Sequence, residues 1–151
     1  MSDLQAVALT GEVALSAATA KTVLQLTAPT NHRVKILGYG VFFDGTSTTA
    51  EPVEVVLQRQ STAGTMTSLT PAKLDDSLAE TLQSTAQHTA TAEPTSVSNG
   101  TLDVIEVHPQ QGYEKLYPLG QEPIIGGGDR VGIICTAPAT VNVRAKLIFE
   151  E

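Results

Sequence analysis

The strongest pattern along the chain is an alternation of apolar and polar positions with a period of two. It is cleanest at the C-terminus. Val141, Val143, Ala145, Leu147 and Phe149 fall on one face, and Asn142, Arg144, Lys146, Ile148 and Glu150 on the other. Alternation over this length predicts a half-buried strand, because successive side chains leave a strand on opposite sides. The same reading predicts a strand from Pro52 to Gln60, with Val53, Val55 and Leu57 opposed to Glu54, Gln58 and Gln60. A third runs from Thr101 to His108, where Leu102, Val104 and Glu106 oppose Asp103, Ile105 and Val107. Its middle is apolar on both sides, which predicts a central place in a sheet.

Residues 33–44 begin as an alternating segment and then turn apolar on both faces through Leu37, Tyr39, Val41, Phe42 and Phe43. Half of the six aromatic residues lie here, so a central strand under the thickest part of the core is predicted. Gly38 and Gly40 share one face of it. Glycine inside a strand pattern points to a bulge, a close backbone, or a side chain lying across it. Turn signals separate the strands. They are Asp44-Gly45, Asn99-Gly100, Gln111-Gly112, Gly126-Gly127-Gly128-Asp129 and Ala137-Pro138-Ala139. Ala63-Gly64 predicts a hairpin joining the 52–60 strand to Met66–Leu69. Punctuation every 8–15 residues predicts an all-β sandwich or barrel.

Two segments depart from this pattern. In residues 73–83, KLDDSLAETLQ, Asp76 stands where a helix cap would, with Leu78 and Leu82 four apart. At most one short helix is expected, near 76–83. Residues 1–20 are rich in Ala, Thr and Ser and alternate weakly at Val7, Leu9, Val13 and Leu15. They are expected to form an extended N-terminal arm or an edge strand, with residues 21–151 as a single domain.

Composition narrows the role. The 151 residues carry 9 basic and 16 acidic side chains, a net charge of −7, and charged residues make up only 17%. Scattered cations on an acidic chain argue against binding to nucleic-acid phosphates. Threonine is about one residue in eight, which suits pleated surfaces that stay polar without charge. Cys135 is the only cysteine, so no internal disulfide is possible, and its apolar run predicts a buried thiol. The N-terminus has neither a basic nor an apolar leader region, and no apolar run reaches 18 residues. Synthesis in the cytoplasm and no membrane span are the expectations.

No segment has the form of a catalytic, cofactor-binding or metal site. The run Gly126–Gly128 is followed by Asp129-Arg130 and a strand, not by the Lys, Ser or Thr and helix of a phosphate loop. His32, His88 and His108 lack metal-ligand spacing. Asp75, Asp76 and Glu80 form a surface cluster too small for calcium. No Gly-x-Ser-x-Gly elbow occurs. The chain is therefore expected not to be an enzyme and to need no cofactor.

Several short phrases, in order, carry a resemblance. They are LTAPTNHRV at 26–34, the glycine-aromatic strand ending FFDG at 42–45, AEPV at 50–53, and LTPAKLD at 69–75. ATAEPT at 90–95, HPQQG at 108–112, PLGQEP at 118–123 and the final FEE at 149–151 complete the set. Over about residues 20–151 the layout resembles the small β-sandwich decoration, cement or auxiliary capsid proteins of tailed bacteriophages. The resemblance implies a jelly-roll-like antiparallel sandwich of about eight strands. It also implies a homotrimer on the capsid exterior, bound to the major capsid protein, and an N-terminal arm that takes part in binding. Residues 1–20 are the suspected arm; no individual contact residue is carried over. The alternative is a tail, baseplate or carbohydrate-binding sandwich for host attachment, for which Tyr113 and Tyr117 would be the aromatic platform.

Overall fold

The computed structural model describes residues 4–151. It contains thirteen strands and, among the described residues, no helix. They are β1 (Gln5–Leu9), β2 (Val13–Leu15), β3 (Ala20–Thr27), β4 (Val34–Phe43), β5 (Val53–Gln60), β6 (Thr65–Leu69) and β7 (Ala72–Lys73). The rest are β8 (Thr85–Ala92), β9 (Ser96–Val107), β10 (Gly112–Leu116), β11 (Ile124–Ile125), β12 (Arg130–Thr136) and β13 (Val141–Glu150).

The strands form two antiparallel sheets packed face to face. One is ordered β10-β4-β13-β1-β7, with β11 added beside β4 and β2 beside β13. The other is ordered β6-β8-β3-β12-β5-β9. Eight of these strands form nested pairs: β1 with β13, β3 with β12, β4 with β10, and β5 with β9. The first pairs with the last, the second with the last but one, and so inward. A two-stranded ribbon wound into two sheets in this way is a jelly roll. The remaining five strands extend or patch it.

The alternating residues build the core. Val143, Ala145, Leu147 and Phe149 of β13 face inward with Tyr39 and Val41 of β4 and Ala6 and Ala8 of β1. Val53, Val55 and Leu57 meet them from the other sheet, with Ile133 and Cys135 of β12. Tyr39 is fully buried, so the aromatic strand lies under the core as its sequence implies.

Four expectations need correction. Residues 101–107 are not central: β9 is the outermost strand of its sheet, and Val104 is 54% exposed. An edge strand can be apolar outside when packing inside already determines its register. The Ala63-Gly64 hairpin does not form either. Three strands separate β5 from β6, and residues 61–64 cross the outer face of the sheet between them.

No helix forms near 76–83. The Asp75 carboxylate accepts bonds from the Ser77 amide and hydroxyl, and Lys73 Nζ donates to the carbonyls of Leu78 and Glu80. Such local bonds compete with a helix, and two turns are too few to nucleate one unaided. Residues 5–15, finally, are not an extended arm but part of the sheet, with β2 an edge strand paired to β13 alone. β1 pairs with both β13 and β7, and Leu4, Val13 and Leu15 are buried. Only residues 1–3 of the suspected arm lie outside the described residues.

Candidate interaction surface

The candidate groups lie in turns and strands, with His32 in the loop between β3 and β4 and Asp76 exposed in the loop after β7. Gly126–Asp129 is a turn between β11 and β12, closed by the Asp129 amide on the Gly126 carbonyl, with Gly128 at a φ of 82°. His88 shares a hydrogen bond with the Thr89 hydroxyl, and His108 Nδ1 accepts from the Gln110 amide. Bonds from Ser77 hold the exposed Asp75 carboxyl below its usual range. Cys135 is buried and its thiol is pushed up to about 12 by that burial, which makes it a poor nucleophile. Among the described residues no three His, Cys, Asp or Glu side chains form a metal-binding group, and no helix could cross a membrane.

Tyr113 and Tyr117 do not stand out as a platform. On β10, Tyr113 and Lys115 pair with Val41 and Tyr39, so they point between the sheets, and Tyr117 packs against the core beside them. Tyr113 lies 6.3 Å from the Tyr39 ring, centre to centre. Tyr39 donates to Asp103 of β9 at 2.5 Å, and Lys115 Nζ reaches the same carboxylate oxygen at 3.3 Å while lying over the Tyr117 ring. Burial, then the bond to Asp103, raises the Tyr39 hydroxyl far above its normal value. Burial, then the Asp103 charge, pushes Tyr117 up to about 12. Asp103 and Lys115 therefore turn inward from the two edge strands on this side of the sandwich and pair with each other. Inward charges on edge strands discourage pairing with another chain's strand.

The outer face of the six-stranded sheet is closed over part of its area, while Ile134, Val56 and Val104 share the uncovered part, where Val104 is exposed. Gln87, Gln25, Gly132 and Gln58 lie in one cross-strand row. Gln87 donates to Gln25, Gln25 to Gln60, and Gln60 to the Thr22 hydroxyl, at 2.7, 2.7 and 3.0 Å. Two crossing segments, around 61–64 and 93–95, lie over the row. Their carbonyls at Thr62 and Ala63 accept from Gln25 and Gln87, and Glu93 accepts from the Thr22 amide and hydroxyl. Ser61 and Thr95 tie the two segments together. The glutamines point outward, as their alternation implies, yet Gln25 and Gln60 are buried because these segments cover them. The only signal in the sequence is the recurrence of Gln at matching strand positions.

The outer face of the seven-stranded sheet is open. Val7, Leu9, Phe42, Leu116, Ile124 and Ile148 share it. Leu9 is 53% and Leu116 63% exposed. Gly38 and Gly40 run through its middle. Of the three explanations for those glycines, a side chain lying across them fits both. An added Cβ would meet the Leu116 side chain at 2.7 Å from Gly38, and Lys146 and Phe42 at 3.2 Å from Gly40. The register of β4 against β13 also shifts beside Gly38. Two of the three cations on this face are paired, Lys146 with Glu114 at 2.7 Å and Lys35 with Glu150 at 3.6 Å.

A cleft of about 670 Å³ opens at one end of the sandwich, between the 44–53 segment, Pro109 and residues 138–142. Its Asp44 carboxylate is committed to the Asn142 amide and side chain, each at 3.0 Å. Comparison with known protein families, with curated proteins and with solved structures finds no match to this chain.

Proposed function

We propose that this chain is a structural virion protein of the decoration type. It binds the major capsid protein on the outside of a tailed-phage shell, as a homotrimer, and stabilises the shell. The observation that carries the reading is an acidic jelly roll whose seven-stranded sheet leaves Leu9, Phe42 and Leu116 exposed on its outer face, beside the ion pairs of Lys146 and Lys35. Such a face suits protein–protein contact, since its charges need little further compensation when water leaves. The order of short phrases along the sequence supplies the type of assembly.

The mechanism is multivalent clamping. Each protomer adds a modest contact to the shell, and linking three converts modest contacts into strong avidity. A net charge of −7 suits a place outside a DNA-filled shell and keeps the protein soluble in the host cytoplasm before it assembles. Residues 5–15 serve the body of the sandwich and are not a free arm. The host-attachment alternative loses its starting point, because Tyr113 and Tyr117 face inward.

The test is co-sedimentation with empty capsids of the phage that encodes the chain. Saturable binding and a raised melting temperature of the shell are expected. Failure to co-sediment at micromolar concentration would reject the reading.

A further inference from the structure

We propose that Asn99-Gly100 is a self-modification site, where the chain converts its own asparagine into an isoaspartyl or aspartyl residue without an enzyme. The inference goes beyond the decoration reading and does not depend on it. The dipeptide reads as a turn ahead of a strand, yet it lies inside β9. Pairing with β5 passes from Gln58↔Thr101 to Gln60↔Ser96, so Val97 to Gly100 stand against Arg59 alone. The extra residues bulge from the ladder, with Asn99 at a φ of 58°.

The chain has three asparagines, Asn31, Asn99 and Asn142. The reaction needs a carboxamide that is free to turn and a following main-chain amide that no side chain shields. Asn142 Nδ2 is tied to Asp44, and the β-branched Val143 follows it. Asn31 precedes His32. Asn99 precedes a glycine, which has no Cβ to shield its amide. Asn99 is exposed, and its side chain makes no hydrogen bond among the described residues.

The chemistry balances with water alone. Hydroxide takes the proton of the Gly100 amide, and that nitrogen attacks the Asn99 side-chain carbonyl carbon. A C–N bond forms, closing a five-membered imide, and the carboxamide nitrogen leaves as ammonia. Water then opens the imide at one of its two carbonyls, leaving an isoaspartyl or an aspartyl link and one new carboxylate. Gly100 is buried, with Arg59 Cβ 2.9 Å and Gln58 Nε2 3.1 Å from where a Cβ would stand. Its amide therefore meets hydroxide when the bulge opens, and that opening sets the rate. β9 is the outermost strand of its sheet, so opening breaks pairing on one side only.

The product acts on what spans the link. Gln58 Nε2 donates to the Val97 carbonyl at 3.0 Å, and the Thr101 hydroxyl donates to Gln58 Oε1 at 2.7 Å. An isoaspartyl link adds one carbon to the main chain between these two anchors, so one of the two bonds must give. The edge strand loosens as the protein ages, and its acidic charge grows.

The experiment is incubation of the purified, folded chain at two alkaline pH values one unit apart, beside the same chain in urea. Intact mass should rise by about 1 Da. Peptide mapping should place the change at Asn99, and an isoaspartyl methyltransferase should label it. The folded rate should lie within about a hundredfold of the rate in urea, and it should be about tenfold faster at the higher pH, as hydroxide is. Asn99→Gln, whose closure needs a six-membered ring, should show no gain over the same period, with an unchanged circular dichroism spectrum. A folded chain that stays unmodified while the chain in urea reacts overturns the inference. So does a gain that maps to Asn31 or Asn142, or one that persists in Asn99→Gln.

Discussion

The two outer faces of the sandwich solve opposite problems. The six-stranded sheet carries amides outward and hides them under its own chain. Gln25, Gln58 and Gln60 are buried on what would otherwise be a wet surface. The seven-stranded sheet carries leucine, phenylalanine and glycine outward and leaves them uncovered. One face is closed over its row of amides, with Val104 left exposed beside it, and the other is apolar and open. A buried amide needs every partner satisfied, so the closed face specifies geometry. An exposed apolar patch has no such demand within the chain, so its rationale lies in contact with something else.

The sharpest way to break the closed face is Gly132→Ala. A Cβ there would sit 2.3 Å from Gln60 Oε1 and 2.7 Å from its Cδ. Gln60 must leave the row, and the buried Gln25 and Thr22 lose a partner. A loss of about 3 kcal/mol is expected, from overpacking and an unmade buried bond together. Urea denaturation measures it. In a Gln60→Ala background the same substitution should cost less than half as much; equal costs would mean the glutamine is not what the glycine accommodates.

Between the faces, Tyr39→Phe removes the bond to Asp103, and a loss of about 1–2 kcal/mol at neutral pH is expected, since hydrogen bonds to charged groups are stronger than neutral ones. The same side chains predict the alkaline limb. Tyr39, Tyr117 and Cys135 hold their protons more tightly in the folded state than in the unfolded chain. The unfolded chain therefore sheds protons first, and stability falls as pH rises above the unfolded thiol and phenol values, about 8.5 and about 10, through about 12. Chemical denaturation between pH 8 and 12 should show the decline, and Tyr117→Phe should make it shallower. An identical slope in that variant would contradict the assignment.

A smaller effect of opposite sign should come from the six-stranded side. Thr89 of β8 holds a φ of 58°, a left-handed conformation that costs a β-branched residue. Relief of about 1–2 kcal/mol, less the chain entropy glycine adds, leaves Thr89→Gly more stable by about 0.5–1 kcal/mol. A lower melting temperature would show that the Thr89 hydroxyl and its bond to His88 outweigh the strain.

The least effect on stability is expected on the open face itself. Gly40→Ala would meet the side chains of Lys146 and Phe42, at 3.2 Å, and no backbone. Stability, read by urea denaturation, should stay within about 0.5 kcal/mol. A large loss of stability instead would make Gly40 a folding residue and blur the contrast between the faces.

Much of the fold is legible in the residues themselves. The inner and outer sides of β13 follow directly from its alternation, and Tyr39 sits where the aromatic cluster implies. The candidate surface was less legible. Leu9 and Phe42 lie far apart in sequence, and only the strand order places both on one sheet face. Asp103 reads as a break in an apolar strand until β10 brings Lys115 to it. The 61–64 segment reads as a hairpin because turn chemistry is local, whereas the strand that β6 joins is not.

By itself the sequence determined the class and the facing of side chains. A period of two forces a half-buried strand, and turn residues limit its length. Only the tertiary structure decided which strands neighbour one another. That order made β9 an edge, drew residues 5–15 into the sheet, and closed part of one outer face while leaving the other open. The physical reason is range. Alternation and turns act over a few residues, while pairing and burial depend on segments far apart in the chain, as when Gln5 bonds Glu150, 145 residues away.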